Sequence, residues 1–502
     1  MSGDNQAKGT KAEKAEAFPW STENLPNKLF INNEYVDAKS GQKFEVVNPK
    51  NESLVSSEVP LAGKEDVERA VEAAEAAFPA WRQTTATARR DCLLKLANLM
   101  EEHQATLVAL TRLTLGMPVQ PFGGMELGMA INAFRYFAGW TDKLAGESFP
   151  QDDGFLKIIR HEPLGVTAGI VPWNGPMGMT GQKAGPALAT GNCFILKPSE
   201  KTPLASLALG ALIKEAGFPP GVFQVLSGDG STGALLASHM RVRKVSFTGS
   251  TMTGRKIQQM AAQSNLKRVT LELGGKSPAI IFNDADIDNA VTWCVNCITA
   301  NSGQACFAAS RVYVQEGIYD KFAAKYEALM VERASTMGDP DVPGTLVGPV
   351  VDVLQFERIK GFLETGRKEG KVLTGGEAAQ GPGYFIKPTI FEGVHKDAEV
   401  VRKEIFGPVA VLNKFSTEEE IIDLANDSNY GLMAGIFTQD VNRAMRLASL
   451  IDSGNVGINC ISMVFINAPF GGTKESGIGR ENGRDALHAF TEPKTVFINL
   501  TY

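Results

Sequence analysis

Gly165-Val166-Thr167-Ala168-Gly169-Ile170-Val171-Pro172 is an almost unbroken apolar run closed by a proline. A run this short, bounded by turn residues, fits a strand buried on both faces. A helix-like stretch follows around Gly181 to Leu188, and Cys193 to Lys197 reads as the next strand. Leu204 to Ala216 reads as a helix, with Gly217 as its C-terminal stop. Strands follow at Phe223 to Leu226 and at Lys244 to Phe247, the latter leading through a glycine-rich turn into a helix from about Met252. Arg268 to Glu272 and Pro278 to Phe282 are two more strands. Strand alternating with helix predicts an α/β fold with a parallel, doubly wound sheet.

Upstream, Lys28 to Val47 reads as short strands turning at Asn32-Asn33 and at Lys39 to Gln42. Helical patterns cover Lys64 to Trp81, about Thr87 to Leu110, and the surroundings of Phe134 to Leu144, and Phe155 to Arg160 reads as a strand. Downstream of Cys306 the alternation resumes, with strands near Arg311 to Val314 and Ala434 to Phe437, which predicts a second α/β unit.

At 502 residues the chain exceeds one ordinary domain and can bury large cores without disulfide staples. Its net charge of −6 lacks the basic field that a nucleic-acid partner requires. No apolar run is long enough to span a bilayer. The start, MSGDNQAKGTKAEKAEAF, is polar and of mixed charge, unlike a secretory signal or a transit peptide. The expectation is a cytoplasmic protein with a disordered head through Pro26, residues 1–26, and no membrane partner. Six scattered cysteines do not form a disulfide framework, and five scattered histidines offer no metal-ligand pair, so no metal is expected.

Four segments carry residue types suited to chemistry. Asn301-Ser302-Gly303-Gln304-Ala305-Cys306 sets a cysteine behind a glycine-containing turn, where a thiolate can act as a nucleophile. A lone cysteine more often reads as inert core. Leu271-Glu272-Leu273-Gly274-Gly275-Lys276 places a carboxylate between leucines, which raises its pKa toward that of a general base; a strand-end Glu in water is the plainer alternative. Pro172-Trp173-Asn174-Gly175-Pro176 follows a buried strand, where open α/β sheets bind ligands, and the Asn174 amide can donate to an oxyanion. Asn-Gly is also a favoured turn pair. Phe247 to Gly254, FTGSTMTG, puts glycines and hydroxyls at a helix start, as a pyrophosphate prefers, yet matches neither the P-loop nor the three-glycine dinucleotide pattern. Cys294 and Cys297 form a CxxC with no second pair, inside an apolar stretch that reads as buried helix.

Taken in order, these segments resemble the aldehyde dehydrogenase superfamily, of the NAD-dependent, hydrolytic, non-acylating type. The series runs RYFAGW (Arg135 to Trp140), PWN (Pro172 to Asn174), LKPSE (Leu196 to Glu200), FTGST (Phe247 to Thr251) and LELGGKSP (Leu271 to Pro278). It continues through NSGQAC (Asn301 to Cys306), EIFGPV (Glu404 to Val409) and PFGGTKESGIGRE (Pro469 to Glu481). The resemblance implies a doubly wound NAD-binding domain (27–145 and 161–275), a second α/β catalytic domain (276–484) and a small β bridging element (146–160 and 485–502). Pairing of an exposed edge strand between subunits, Thr495 to Leu500, implies a dimer or tetramer.

The resemblance also implies roles. Cys306 matches the nucleophile, Glu272 the general base, Asn174 the oxyanion donor, and Lys183 with Glu481 a proton-relay pair. NAD would be held by Trp173, Lys197, Glu200, Gly249, Ser250, Leu273, Glu404 and Phe406, with the Glu200 carboxylate disfavouring NADP. The substrate is then a small-molecule aldehyde, oxidised to the acid through a Cys306 thioester. The segment LTLGMP (Leu113 to Pro118) lacks charged residues that many relatives carry, and Gly175 and Gln182 stand where many relatives place aromatics. With Phe307, Met179, Met463, Val464 and Phe470 they predict a tunnel widened for bulky, aromatic or partly polar aldehydes. A CoA-acylating relative, a cysteine thioesterase and a catalytically silent binding protein are the competing readings.

Overall fold

A computed structural model describes residues 18–501 of the chain. The stretch that decides the fold is a strand, Val166–Ile170, buried at every position. It lies in the middle of an eight-stranded sheet. On one side it pairs in parallel with Cys193–Lys197, which pairs in parallel with Phe223–Val225. On the other side it pairs in parallel with Lys244–Thr248, which pairs in parallel with Arg268–Glu272. Strand order therefore reverses between Val166–Ile170 and Lys244–Thr248. The chain's early hairpin, Leu29–Ile31 with Glu34–Val36, adds antiparallel at one edge. Asn32 and Asn33 both have positive φ, 56° and 61°, the turn geometry that asparagine tolerates.

The second sheet has seven strands, six of them parallel, with Ser277–Ile281 flanked by Ala309–Gln315 and Met433–Phe437. Each sheet centres its own apolar core. A third, three-stranded sheet pairs Phe155–Pro163 with Thr491–Asn499 antiparallel over its whole length. Thr491–Asn499 is an edge strand there, and it leaves Phe497 66% and Ile498 42% exposed.

Several boundaries differ from expectation. The helix expected over Thr87 to Leu110 is two helices, Ala86–Glu102 and Gln104–Leu115, separated by His103 with φ −98° and ψ 20°. The His103 ring stacks on Phe18 with centroids 4.5 Å apart, a tertiary contact that hydrophobic periodicity does not encode. The helix near Phe134 spans Gly124–Ala138, and the chain turns at Gly139, short of Leu144. Residues 1–17 of the expected head lie outside the described residues. Residues 18–26 pack on the domain: Trp20 Nε1 donates to the Tyr35 hydroxyl at 2.9 Å, and Pro26 is buried. Aromatic side chains in that short stretch outweigh its polar composition.

The helix Pro176–Ala189 starts with proline in its first turn, where a missing N–H costs nothing. It lies against Gly124–Ala138 so closely that a Cβ on Gly181 would fall 2.7 Å from Ala130 Cα. That contact seats the helix against Gly124–Ala138, and Asn174 and Gly175 lie immediately before its first residue.

Candidate active site

The carboxyl ends of the two strands flanking the reversal open onto one crevice, the position where doubly wound sheets take ligands. Val166–Ile170 runs out into Trp173 and Asn174, and Lys244–Thr248 into Gly249 and Ser250. Ser250 caps the helix Thr251–Gln263, accepting from Thr253 N at 3.3 Å. The helix start leaves first-turn N–H groups without intrahelical partners. Leu273 packs beneath this helix, its Cδ2 only 2.6 Å from where a Cβ on Gly254 would stand. From the neighbouring strand, Lys197 Nζ lies 3.6 Å from the Glu200 carboxylate; burial pulls the lysine pKa down and Glu200 partly restores it. Trp173 meets Phe406 edge-to-face at 5.2 Å. Trp173 meets Phe406, and Glu404 meets Gly274 and Gly275, where the two sheets join, while Lys197 and Gly249 stand at the carboxyl ends of strands of the first sheet, with Glu200 and Ser250 just beyond them.

The junction is made by Leu273 to Lys276, which carry the chain from the last parallel strand of the first sheet directly into the second. The Gly275 N–H donates to Glu404 Oε1 at 3.0 Å. A Cβ on Gly274 would lie 2.4 Å from Glu404 Oε2, and one on Gly275 only 2.2 Å from the carbonyl oxygen of Cys306. Burial pushes the Glu404 carboxyl up to about 7, against the Gly275 N–H.

Cys306 sits just before the strand Ala309–Gln315, so it presents from the amino end of the second sheet. The turn leading to it holds Asn301, Ser302 and Gly303 in the left-handed region, with φ of 46°, 54° and 71°. Two non-glycine residues pay strain there, and side-chain bonds hold them. Ser302 Oγ donates to Gly348 O at 2.6 Å, and Gln304 Nε2 donates to Asn301 O at 2.8 Å. Asn174 ties in from the first sheet: its Nδ2 donates to Gln304 O at 2.8 Å, and its carbonyl accepts from Asn301 Nδ2 at 3.2 Å. Cys306 is half-buried; burial raises its thiol pKa, and the Glu404 and Glu272 carboxylates raise it further.

Glu272 ends its strand 2% exposed, and neither carboxylate oxygen has a hydrogen-bond partner. Burial lifts its pKa well above the usual range, Glu481 adds to the lift, and Lys183 and Arg480 oppose it. Close by, Lys183 and Glu481 form a buried ion pair. Ser246 joins them, donating to Glu481 Oε1 at 2.6 Å and accepting from Lys183 Nζ at 3.1 Å.

On the apolar side, a Cβ on Gly175 would meet no atom nearer than 4.0 Å, where Met179 Cγ and Glu126 Oε1 stand. Phe307 meets Phe470 at right angles with centroids 6.3 Å apart, and Val464 packs on the same core. Gln182 is buried, and Met463 is 38% exposed. Cys294 and Cys297 are both buried on the helix Ile287–Thr299.

Glu126 was not singled out by sequence. It lies in the helix Gly124–Ala138, and its Oε1 accepts from the backbone N–H groups of Met177 and Gly178 at 2.7 and 2.8 Å. It therefore caps the helix that follows Asn174 and Gly175. A lone acid in an otherwise apolar helical stretch, GMELGMAINAFRYFA, is the signal that marks it. Glu126→Ala should destabilise the protein by about 1–3 kcal/mol, since two buried donors lose their acceptor. Burial pushes the Glu126 carboxyl from 4.5 to about 7. Between those values the folded chain holds a proton that the unfolded chain has released, so this group's contribution to stability falls as pH rises. The melting temperature of Glu126→Gln, measured against the unsubstituted protein, should therefore shift upward from pH 5 to pH 8. A pH-independent difference would contradict this.

Residues 35–496 match the model of the "Aldehyde dehydrogenase family". An aldehyde dehydrogenase of Agaricus bisporus is 47% identical over 94% of this chain and 95% of its own length. Retinaldehyde dehydrogenase 3 of Homo sapiens is 45% identical over 98% of this chain and 97% of its own. The NAD+ complex of an aldehyde dehydrogenase from Bacillus cereus superposes with a TM-score of 0.92 at 42% identity, covering 95% of this chain and 97% of that one. With a family match over nearly the whole length and relatives this similar, the chain belongs to the aldehyde dehydrogenase family.

Proposed function

We propose that this chain oxidises a bulky or aromatic aldehyde to the carboxylic acid with NAD, through a thioester on Cys306 that Glu272 hydrolyses. The observation that carries this reading is the convergence at one junction of a cysteine thiol, an anchored amide and a buried carboxylate with no partner. As a member of its family the chain is an NAD-dependent aldehyde dehydrogenase.

The residues at the crevice fit the cofactor. The start of the helix Thr251–Gln263 offers N–H groups to a pyrophosphate. The Glu200 carboxylate, 42% exposed, suits ribose hydroxyls and repels a 2′-phosphate, so NAD is favoured over NADP. Glu404 offers a second carboxylate, for the nicotinamide ribose, with Trp173, Lys197, Gly249, Leu273 and Phe406 as walls. When bound, NAD accepts the hydride that leaves the aldehyde carbon.

The chain's own residues do the rest. The Cys306 thiol gives up its proton to solvent, and its sulfur bonds to the aldehyde carbon. Asn174 Nδ2 has two N–H donors, and only one is engaged, with Gln304 O. The other, with the Cys306 N–H, stabilises the oxyanion; one such donor is worth about 3 kcal/mol. After oxidation the acyl group remains on sulfur. Glu272 takes a proton from water, the hydroxide bonds to the acyl carbon, the C–S bond breaks, and the acid departs, leaving the Cys306 thiolate and a proton on Glu272. Lys183, Glu481 and Ser246 form a buried polar set that carries protons away from Glu272.

In this reading the eight-stranded sheet (27–145 and 161–275) holds NAD, and the seven-stranded sheet (276–484) carries Cys306. The three-stranded sheet (146–160 and 485–502) bridges subunits through its open edge as a dimer or tetramer. The open space beside Gly175 and the aromatic pair Phe307 and Phe470 support the preference for bulky aldehydes.

Two sets of variants test the proposal. Cys306→Ser should abolish NADH formation. Glu272→Gln should give a burst of at most one NADH per subunit and then turn over about 10²–10⁴-fold more slowly. In the unsubstituted enzyme the hydrolytic rate should climb with pH, because Glu272 must lose a proton that burial retains. Steady turnover by Glu272→Gln at the original rate would reject the assignment. Gly175→Phe fills the open space and should lower the kcat/KM ratio of benzaldehyde to acetaldehyde about tenfold or more. An unchanged ratio would remove Gly175 from the substrate path.

A further inference from the structure

Gln182 lies on the helix Pro176–Ala189, seven residues beyond Gly175 and on the same face. It is only 3% exposed, and its Oε1 is buried without a hydrogen-bond partner. Buried side-chain polar atoms are ordinarily paired, and one left open asks for an occupant. Its polar neighbours on the helix are satisfied. Thr180 Oγ1 donates to Pro176 O at 2.7 Å, and Lys183 is held by Glu481 and Ser246. Glu126 Oε1 is occupied by the Met177 and Gly178 N–H groups, and Met179 is apolar. Lys183 has two of its three N–H groups engaged in this way, and none of these groups bonds the Gln182 oxygen.

Position gives the distance. Seven residues span about 10 Å of helix axis. A long helical side chain leans back over the preceding turn, toward Gly175, by about one turn, or 5 Å. The Gln182 amide therefore stands about 5 Å further along the helix than the Gly175 turn, roughly the length of one aromatic ring.

We propose that Gln182 is a specificity residue that recognises a hydroxyl group carried by the aldehyde about one ring's length from its carbonyl carbon. A hydroxyl both donates and accepts, so it pairs with the amide whichever way that group is turned. The substrate class is a hydroxyl-bearing aromatic aldehyde, with the ring beside Gly175 and Met179. This deepens the function proposed above and rests on it.

The test compares 4-(hydroxymethyl)benzaldehyde with 4-ethylbenzaldehyde, which share shape and differ by one hydroxyl. The unsubstituted enzyme should favour the hydroxylated member by about tenfold or more in kcat/KM, because the unmatched analogue leaves the amide unpaired. In Gln182→Leu and in Gln182→Met that preference should fall to about one, with thermal unfolding and NAD binding showing that each variant is folded. Comparing ratios between enzymes cancels any intrinsic difference between the two aldehydes. An equal preference in all three enzymes, as water filling the site would give, overturns the role of Gln182 and leaves the Cys306 chemistry standing. Failure of the unsubstituted enzyme to oxidise either aldehyde would overturn both.

Discussion

Two adjacent residues without side chains, Gly274 and Gly275, set the distance on which the site depends. Any Cβ there would strike the Glu404 carboxylate at 2.4 Å or the Cys306 carbonyl at 2.2 Å. Because nothing projects from these positions, the carboxyl ends of one parallel sheet can face the amino ends of the other at backbone contact. Glu272, on the last residue of its strand, then shares a space with a cysteine that lies 34 residues further on. The same approach lets the Gly275 N–H fix Glu404 at 3.0 Å. Asn174 closes the seam by bonding the turn that leads to Cys306.

The electrostatics of the junction follow from its dryness. Glu272, Glu404 and the Cys306 thiol all have their charged forms disfavoured by burial, and the two carboxylates raise the thiol's pKa as well. The thiolate is the nucleophile, so Cys306 must lose this proton before its sulfur attacks. Glu272 has the raised pKa that suits a general base for the attacking water near neutrality. Lys183 with Glu481 is the compensated charge pair beside it, with Ser246 on the shared oxygen and the other Glu481 oxygen buried without a partner. Removing one member would leave the other as an unpaired buried charge, the costly case.

The sheets were legible because their strands are buried on both faces and read as uninterrupted apolar runs, as at Val166–Ile170 and Cys193–Lys197. The turn chemistry at Asn32-Asn33 and the stop at Gly217, with φ +87°, were equally local and equally readable. The residues gathered at the junction were legible through motif order. What sequence did not reveal depends on contacts far along the chain. Glu126 caps a helix that starts fifty residues later, and only folding shows the pairing. The break at His103 is seated on Phe18, and Gln304 anchors the cysteine turn to Val351. Local periodicity carries no trace of these.

The account's central claim is that Glu272 releases an acyl group from Cys306, and trapping that group tests it most directly. Glu272→Gln is mixed with NAD and benzaldehyde, quenched in acid and digested, and the peptides are weighed. The peptide carrying Cys306 should gain the mass of a benzoyl group, in an amount that matches the NADH formed, and the adduct should be lost with hydroxylamine. NADH formation with no adduct on Cys306, or with the benzoyl group on another residue, would contradict the account.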